Sequence, residues 1–418
     1  MPSTSIVNQF NLLFLAAVAE GFIKVLAILK VTKLLIDSIF MKIKILPTLI
    51  FFTPFLLAAQ AKIDTLSIAS NTSLLVFKGK INGVSANFAF DTGANTGVAN
   101  STIATACGLT ANKSRTVKDS QENSKSVGYG TMETIEIGSH VFKNQSTAIA
   151  DMPFLQCNNL YLLGADVINK LNWKFDFETN QAYVSTTPFE PAPEMQETNV
   201  KFIGNRHFAD FNVAGEEIKS CLIDFGYAGV LEGNNKDKAF KNLASKINES
   251  NLLYPAKIFS QGLNSFSIGA DVKLTFIDVN FANQPYQNVK LSLRDGVQSK
   301  LGFAFFLNYT RQFIFNATQH KYWVLPKKSP VQKNMGPSAD IYLIDGKLKV
   351  VGLNLAVNNV AEKLALNEEI RSIDGKPANA FANLCEYVLW RTANSGTSQI
   401  LIEKLNGEKV IVERFNYK

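Results

Sequence analysis

The chain is poor in the residues from which metal and redox centres are built. It has 4 cysteines and 3 histidines in 418 residues. Cys107, Cys157, Cys221 and Cys385 lie far apart with no C-x-x-C pair, which argues against a Cys/His zinc site, so no metal is expected. Charge is sparse too, at 18% of residues, and no Lys/Arg cluster is interleaved with aromatics, so the formal net charge of +7 does not describe a nucleic-acid groove. Low-complexity tracts are missing. With 46% apolar and 11% aromatic residues there is material for two or three cored domains, which excludes a disordered chain.

A long uncharged apolar run occurs near the start, in MKIKILPTLIFFTPFLLAAQA from Met41 to Ala61. Two lysines precede about 15 apolar residues broken by Pro47 and Pro54, short of the ~20 that span a bilayer. Ala59-Gln60-Ala61 then supplies an A-x-A cleavage pattern, so residues 41–61 read as a secretory signal peptide, with an uncleaved anchor as the alternative. Residues 1–40 are apolar but interrupted by Glu20, Lys24, Lys30, Lys33 and Asp37, and read as non-native sequence ahead of a start at Met41. The expectation is export, to the periplasm, the cell surface or the medium. Loss of the leader 1–61 removes five lysines and two acids and leaves a net +4 on 357 residues. In an exported protein Cys107 and Cys157 form one conceivable disulfide; both being small buried hydrophobes is the other reading.

Two Pro-bearing segments, 186–198 and 326–338, read as linkers that divide the remainder into blocks 62–185, 199–325 and 339–418. The first two blocks repeat one pattern. Each has a strand, a Gly-bearing turn, an apolar strand and Asp-x-Gly, in INGVSANFAFDTGANTGV (Ile81 to Val98) and VAGEEIKSCLIDFGYAGV (Val213 to Val230). Turn glycine to aspartate is eight residues from Gly83 to Asp91 and nine from Gly215 to Asp224. An apolar-Gly signal follows in each, Leu163-Gly164 and Leu301-Gly302, and the closing runs match Phe175 and Phe177 to Phe313 and Phe315. The common order describes a duplicated β-rich unit.

A bare Asp-Thr-Gly is an ordinary turn sequence, with Asp bonding the backbone and Gly free to take positive φ. Its place after the strand Phe88-Ala89-Phe90, its recurrence and the downstream Leu-Gly together resemble the pepsin-like and retroviral-type aspartic proteases over residues 70–325. The resemblance implies a mostly β protein with two acid-protease-like β-barrel lobes, 62–185 and a divergent 199–325. It implies that Asp91 and Asp224 are the catalytic pair. Gly93 and Gly226 would allow close backbone approach, Thr92 would bond across the lobes, and Leu163-Gly164 would pack beneath the first aspartate. It further implies a mobile hairpin over the cleft, for which Tyr129 in Ser126-Val127-Gly128-Tyr129-Gly130-Thr131 is the candidate, an ordinary hairpin turn being the plainer reading. The second lobe departs from the pattern: Phe225 stands where Thr or Ser is usual, and Tyr227 where a small residue is usual. A symmetric site from two Asp91 residues of a homodimer is therefore an alternative.

In block 339–418, AEKLAL (Ala361 to Leu366) followed by EIRSIDGKP (Glu369 to Pro377) resembles a bacterial PDZ domain, with Ala365, Asn367 and Glu368 departing from its usual Gly and Gly-Asp. The resemblance implies an α+β domain that takes an extended peptide, often a C-terminus, with backbone NH groups near Val351, Gly352 and Leu353 receiving a carboxylate. The leading expectation is an exported aspartic endopeptidase that needs no cofactor, acts on peptide or protein substrates and positions them with the PDZ groove. The alternative is a catalytically inactive peptide- or protein-binding envelope protein on the same scaffold.

Overall fold

The computed structural model describes Lys30, Thr32 and residues 62–69, 73–119, 123–249, 253–263, 266–329 and 334–416. The expected signal peptide 41–61 lies outside these residues. The chain divides into two units, Met1–Gln60 and Ala61–Lys418, and all the described residues except Lys30 and Thr32 belong to the second.

That unit is mostly β, and its first two blocks share a topology. In the first, Val76–Ile81 and Val84–Phe90 form a hairpin about Asn82 and Gly83, both at positive φ (48° and 78°), the geometry of a tight twisted turn. In the second, Arg206–Val213 and Glu216–Asp224 turn about Ala214 and Gly215 (46° and 86°). The pairing there slips by one residue between Ala209 and Phe211, opposite Ser220 at positive φ. This bulge absorbs the ninth residue of the Gly215-to-Asp224 spacing and leaves both aspartates at the same place after the hairpin. Each aspartate-bearing strand then runs parallel to the Leu-Gly strand, Phe90 beside Leu163 and Asp224 beside Gly302. Each lobe also carries a long hairpin: Lys113–Lys118 with Ser124–Ile137 in the first, and Tyr254–Gln261 with Phe266–Phe281 in the second.

The closing runs of the two lobes meet. Asn172–Asp176 pairs antiparallel with Thr310–Asn316, setting Phe175 opposite Phe313 and Trp173 opposite Phe315. The resulting interlobe sheet continues to Gln181–Ser185 on one side and Lys321–Pro326 on the other. Its phenylalanines belong to one aromatic core shared by both lobes. The segment 186–198 is thus not a free linker: Gln196–Asn199 pairs with Lys321–Pro326, and Met195 is buried against Ile314 and Trp323. In 326–338, Asn334–Pro337 likewise pairs with the terminal strand Lys409–Asn416.

The C-terminal block has its own core around Leu348, Val350 and Tyr387, and it is fastened to both lobes. Asn354 and Leu353 pair with Ala256 and Lys257 of the second-lobe hairpin. On the other side Cys157, ending the helix Pro153–Cys157 of the first lobe, is disulfide-bonded to Cys385 in the helix Leu384–Ala393. The Cys107–Cys157 pairing is therefore incorrect: Cys107 and Cys221 are free and buried, as small hydrophobes in the core.

Candidate active site

The strand Val84–Phe90 ends by handing its pairing to Asp91, whose NH donates to the Leu163 carbonyl at 3.0 Å. The chain then turns so that the NH groups of Gly93 and Ala94 donate to Asp91 Oδ1 at 2.7 and 3.1 Å. In the second lobe Gly226 NH donates to Asp224 Oδ1 at 3.0 Å. The two turns face each other, and the carboxyl groups of Asp91 and Asp224 hydrogen-bond one another. Glycine is required on both sides. A Cβ at Gly93 would stand 2.5 Å from Asp224 Oδ1, and one at Gly226 would stand 2.3 Å from Asp91 Oδ2.

Both carboxyls are buried, each 8% exposed. Burial, followed by the charge of Asp224, holds Asp91 well above the usual carboxylate range. Asp224 is also raised by burial, with Lys300 pulling against that rise. Two carboxyls in contact in a dry site hold one proton between them and titrate as a pair. Within the single chain it is Asp224 that occupies the place opposite Asp91.

Thr92 joins the lobes behind the pair. Its buried hydroxyl donates to the Ile223 carbonyl at 2.6 Å and accepts from Phe225 NH at 3.2 Å. Phe225 makes no such bond in return. Its ring is fully buried among Phe90, Phe306 and Phe313, with centroids 5.5, 4.6 and 5.4 Å away, so aromatic packing stands in for the second hydroxyl. Tyr227 does not cover Asp224: it packs against Gly229 and Gly302 with Lys300 Nζ 4.9 Å from its ring centre. Thr92→Val, which keeps the shape and leaves two buried backbone groups unpaired, is expected to cost about 1–3 kcal/mol in urea unfolding. Thr92→Ser is expected to cost less.

Leu163 is buried under Asp91, and Gly164 allows the following turn to close on Thr96 and Gly97, where a Cβ would lie 2.3 Å from the Thr96 carbonyl carbon. Tyr129 is not at a hairpin tip, and the turn reading of its segment is corrected. It lies within the strand Ser124–Ile137, paired with Lys113 and Ala148, is 6% exposed, and has the Arg115 guanidinium 5.3 Å from its ring centre. Its glycine neighbours serve close packing instead: a Cβ at Gly130 would stand 2.4 Å from the Thr110 carbonyl. Tyr129 walls a cleft of about 1820 Å³ that also includes both aspartates and Leu263, beyond the strand Tyr254–Gln261 of the second-lobe hairpin.

Val351, Gly352 and Leu353 lie elsewhere, in the strand Lys347–Asn354, and are buried. Gly352 and Leu353 pair with Asp340 and Ala339 on one side, while Leu353 also pairs with Lys257 on the other. The pairing slips between Asp340 and Ile341, which leaves Val351 as the extra residue of this strand. The helix Leu384–Ala393 faces the neighbouring strand Ala339–Ile344 instead, with Tyr387 donating to the Ile341 carbonyl at 2.6 Å. A cavity of about 320 Å³ opens between these two elements, lined by Tyr342, Val388, Arg391 and Ile402 and reached by Phe259 and Gln261.

Sequence reasoning did not single out a buried ionic cluster beside Asp224. Glu232 meets Arg294 at 2.8 Å and Lys300 at 3.0 Å, all three side chains being 7% exposed or less. The available signal was Lys300 standing directly before Leu301-Gly302. His207, also unremarked, is fully buried between Tyr322 and Asn169, and burial lowers it to about 3, so it is neutral in the folded state. Among the described residues no group of three or more His, Cys, Asp or Glu could hold a metal ion.

A family model described as aspartyl protease matches residues 77–167, a span that contains Asp91, Thr92, Gly93, Leu163 and Gly164. Among solved structures, the chain is similar to a retropepsin-like aspartic protease from Rickettsia conorii at 16% identity, covering 30% of this chain and 91% of that one, with a TM-score of 0.24. It is also similar to an aspartic proteinase from Irpex lacteus at 10% identity, covering 64% and 98%, with a TM-score of 0.38. No curated protein matches.

Proposed function

We propose that this chain is an exported aspartic endopeptidase in which Asp91 and Asp224 activate a water for attack on a peptide bond, and whose C-terminal block holds protein substrates. The observation that carries the reading is the contact of two buried carboxyls, one from each lobe, in a large cleft. A pair sharing one proton has a base and an acid in reach of the same carbonyl. The ionised member takes a proton from water as the oxygen attacks, and the protonated member gives its proton to the carbonyl oxygen. Gly93 and Gly226 let the carboxyls meet, Thr92 fixes the lobes that carry them, and Leu163-Gly164 supports the first turn. The cleft is larger than the ~300–1,000 Å³ of small-molecule pockets, which suits an extended peptide.

The groove between Ala339–Ile344 and the helix Leu384–Ala393 is the part that suits an added peptide strand, in the PDZ manner. Gln261 of the second-lobe hairpin lines both this groove and the cleft, so a chain held in the one lies close to the other.

The test is a mixed peptide library and a long unfolded protein, each incubated over pH 3–7 with wild type and with Val388→Glu, which charges the groove. Cleavage of both by wild type is expected, with Val388→Glu raising KM for the long substrate alone. No cleavage at any pH, with peptide binding retained, would replace the peptidase reading with that of an inactive binding protein.

A further inference from the structure

Behind Asp224, out of the cleft, lies more positive than negative charge. Lys300 is on the short strand Lys300–Gly302, which runs parallel to the aspartate-bearing strand and sets Lys300 beside Leu222 and Gly302 beside Asp224. Glu232 on the neighbouring strand is directly opposite Lys300 and also holds Arg294. One carboxylate thus serves two cations in a space closed to water. A lone positive charge in such a place is costly unless an anion answers it.

The groups that face it identify the anion. Around Lys300 are Glu232, Arg294, the ring of Tyr227 and the Cys221 thiol, with Asp237 beyond at an exposed position. Asp224 feels Lys300 and Glu232 from its own lobe and Asp91 from the other. Tyr227 and Cys221 are both held above their ordinary range by burial and stay neutral. The acid left to balance the cluster is Asp224.

We propose that Lys300, held in place by Glu232 and Arg294, is a positioning residue that keeps Asp224 the ionised member of the pair and leaves the shared proton on Asp91. With Asp224 charged and Asp91 protonated, the two cations, Glu232 and the pair sum to zero. The geometry sets the asymmetry: Lys300 stands on the strand beside that of Asp224, in the same lobe, whereas Asp91 belongs to the other lobe. Asp224 is then the base toward water, and Asp91 the donor to the carbonyl oxygen. This assignment of roles rests on the peptidase reading; the charge balance does not.

The experiment compares pH profiles of kcat/KM for wild type, Lys300→Met, Lys300→Arg and Glu232→Gln, together with a carbon-13 NMR titration of the pair in aspartate-labelled protein. Removing the cation is expected to move both limbs of the profile upward, the acid limb by about one pH unit or more. At a fixed pH on the acid limb, each pH unit of that displacement reads as roughly tenfold lower activity. Glu232→Gln exposes the pair to an unanswered cation and is expected to move the limbs downward, while Lys300→Arg keeps the wild-type limits. Opposite signs from two partners of one ion pair are not produced by loosened packing. If one variant does not fold, the sign of the other decides.

Limbs and carboxyl titrations unchanged in both Lys300→Met and Glu232→Gln would overturn the proposal even in an active enzyme. If wild type cleaves nothing, yet the NMR titration moves in the two opposite directions, the charge assignment stands and the peptidase reading alone is lost.

Discussion

Asp91→Asn and Asp224→Asn are each expected to lower peptide cleavage by about 10²–10⁴-fold, the usual span of general acid–base catalysis, with the fold intact. An amide neither takes a proton from water at these pH values nor gives one to a carbonyl oxygen, so either change leaves the step without its base or without its acid. Stability is expected to move the other way. The folded pair is raised above the ordinary aspartate value of 3.8, so its stabilising contribution is fully present below that value and is lost as pH rises through the folded range. Replacing Asp91 removes this loss. Asp91→Asn should therefore melt higher than wild type at pH 7, and the advantage should shrink toward pH 4 and below. Equal cleavage by wild type and Asp91→Asn would place the chemistry elsewhere. Loss in Asp91→Asn with none in Asp224→Asn would mean that the second lobe contributes no catalytic group.

The second large effect concerns Phe225, where the second lobe departs from the Asp-Thr-Gly pattern. Phe225→Ala is expected to cost about 3–5 kcal/mol in chemical unfolding, the range for deleting a buried phenyl ring. Phe225→Thr, which brings the motif back, is expected to cost about as much. A threonine fills only part of the space bounded by Phe90, Phe175, Phe306 and Phe313, so a cavity remains and the aromatic packing is lost. A Phe225→Thr protein as stable as wild type would show that the aromatic cluster does not join the lobes in the way described.

The duplicated plan was legible because it rests on strong local signals: period-two apolar strands, Gly at a left-handed turn, and Asp-x-Gly after a buried strand. The one-residue discrepancy between the repeats was legible as a number but not as a bulge, since Ser220 carries no mark of its positive φ. Tyr129 was misplaced because glycine has two uses, turning a chain and letting chains touch, and Gly130 does the second. The disulfide could not be read from spacing, its partners being 228 residues apart and joined by tertiary packing of two helices. In the C-terminal block both strands were recognisable, but nothing local says which of two adjacent strands faces the helix. Lys300 was invisible for a related reason: a single lysine is ordinarily a surface residue, and only the sheet register sets it between Leu222 of the aspartate-bearing strand and Glu232.

The Cys157–Cys385 bond has a topological consequence. It closes the backbone between those residues into a covalent ring that takes in the whole second lobe and most of the C-terminal block. A single peptide-bond cut anywhere between Asn158 and Leu384, whether by another protease or by a neighbouring copy of this chain, opens the ring without releasing a piece. Such a nicked protein would run as one species until a reductant is added, and then as two.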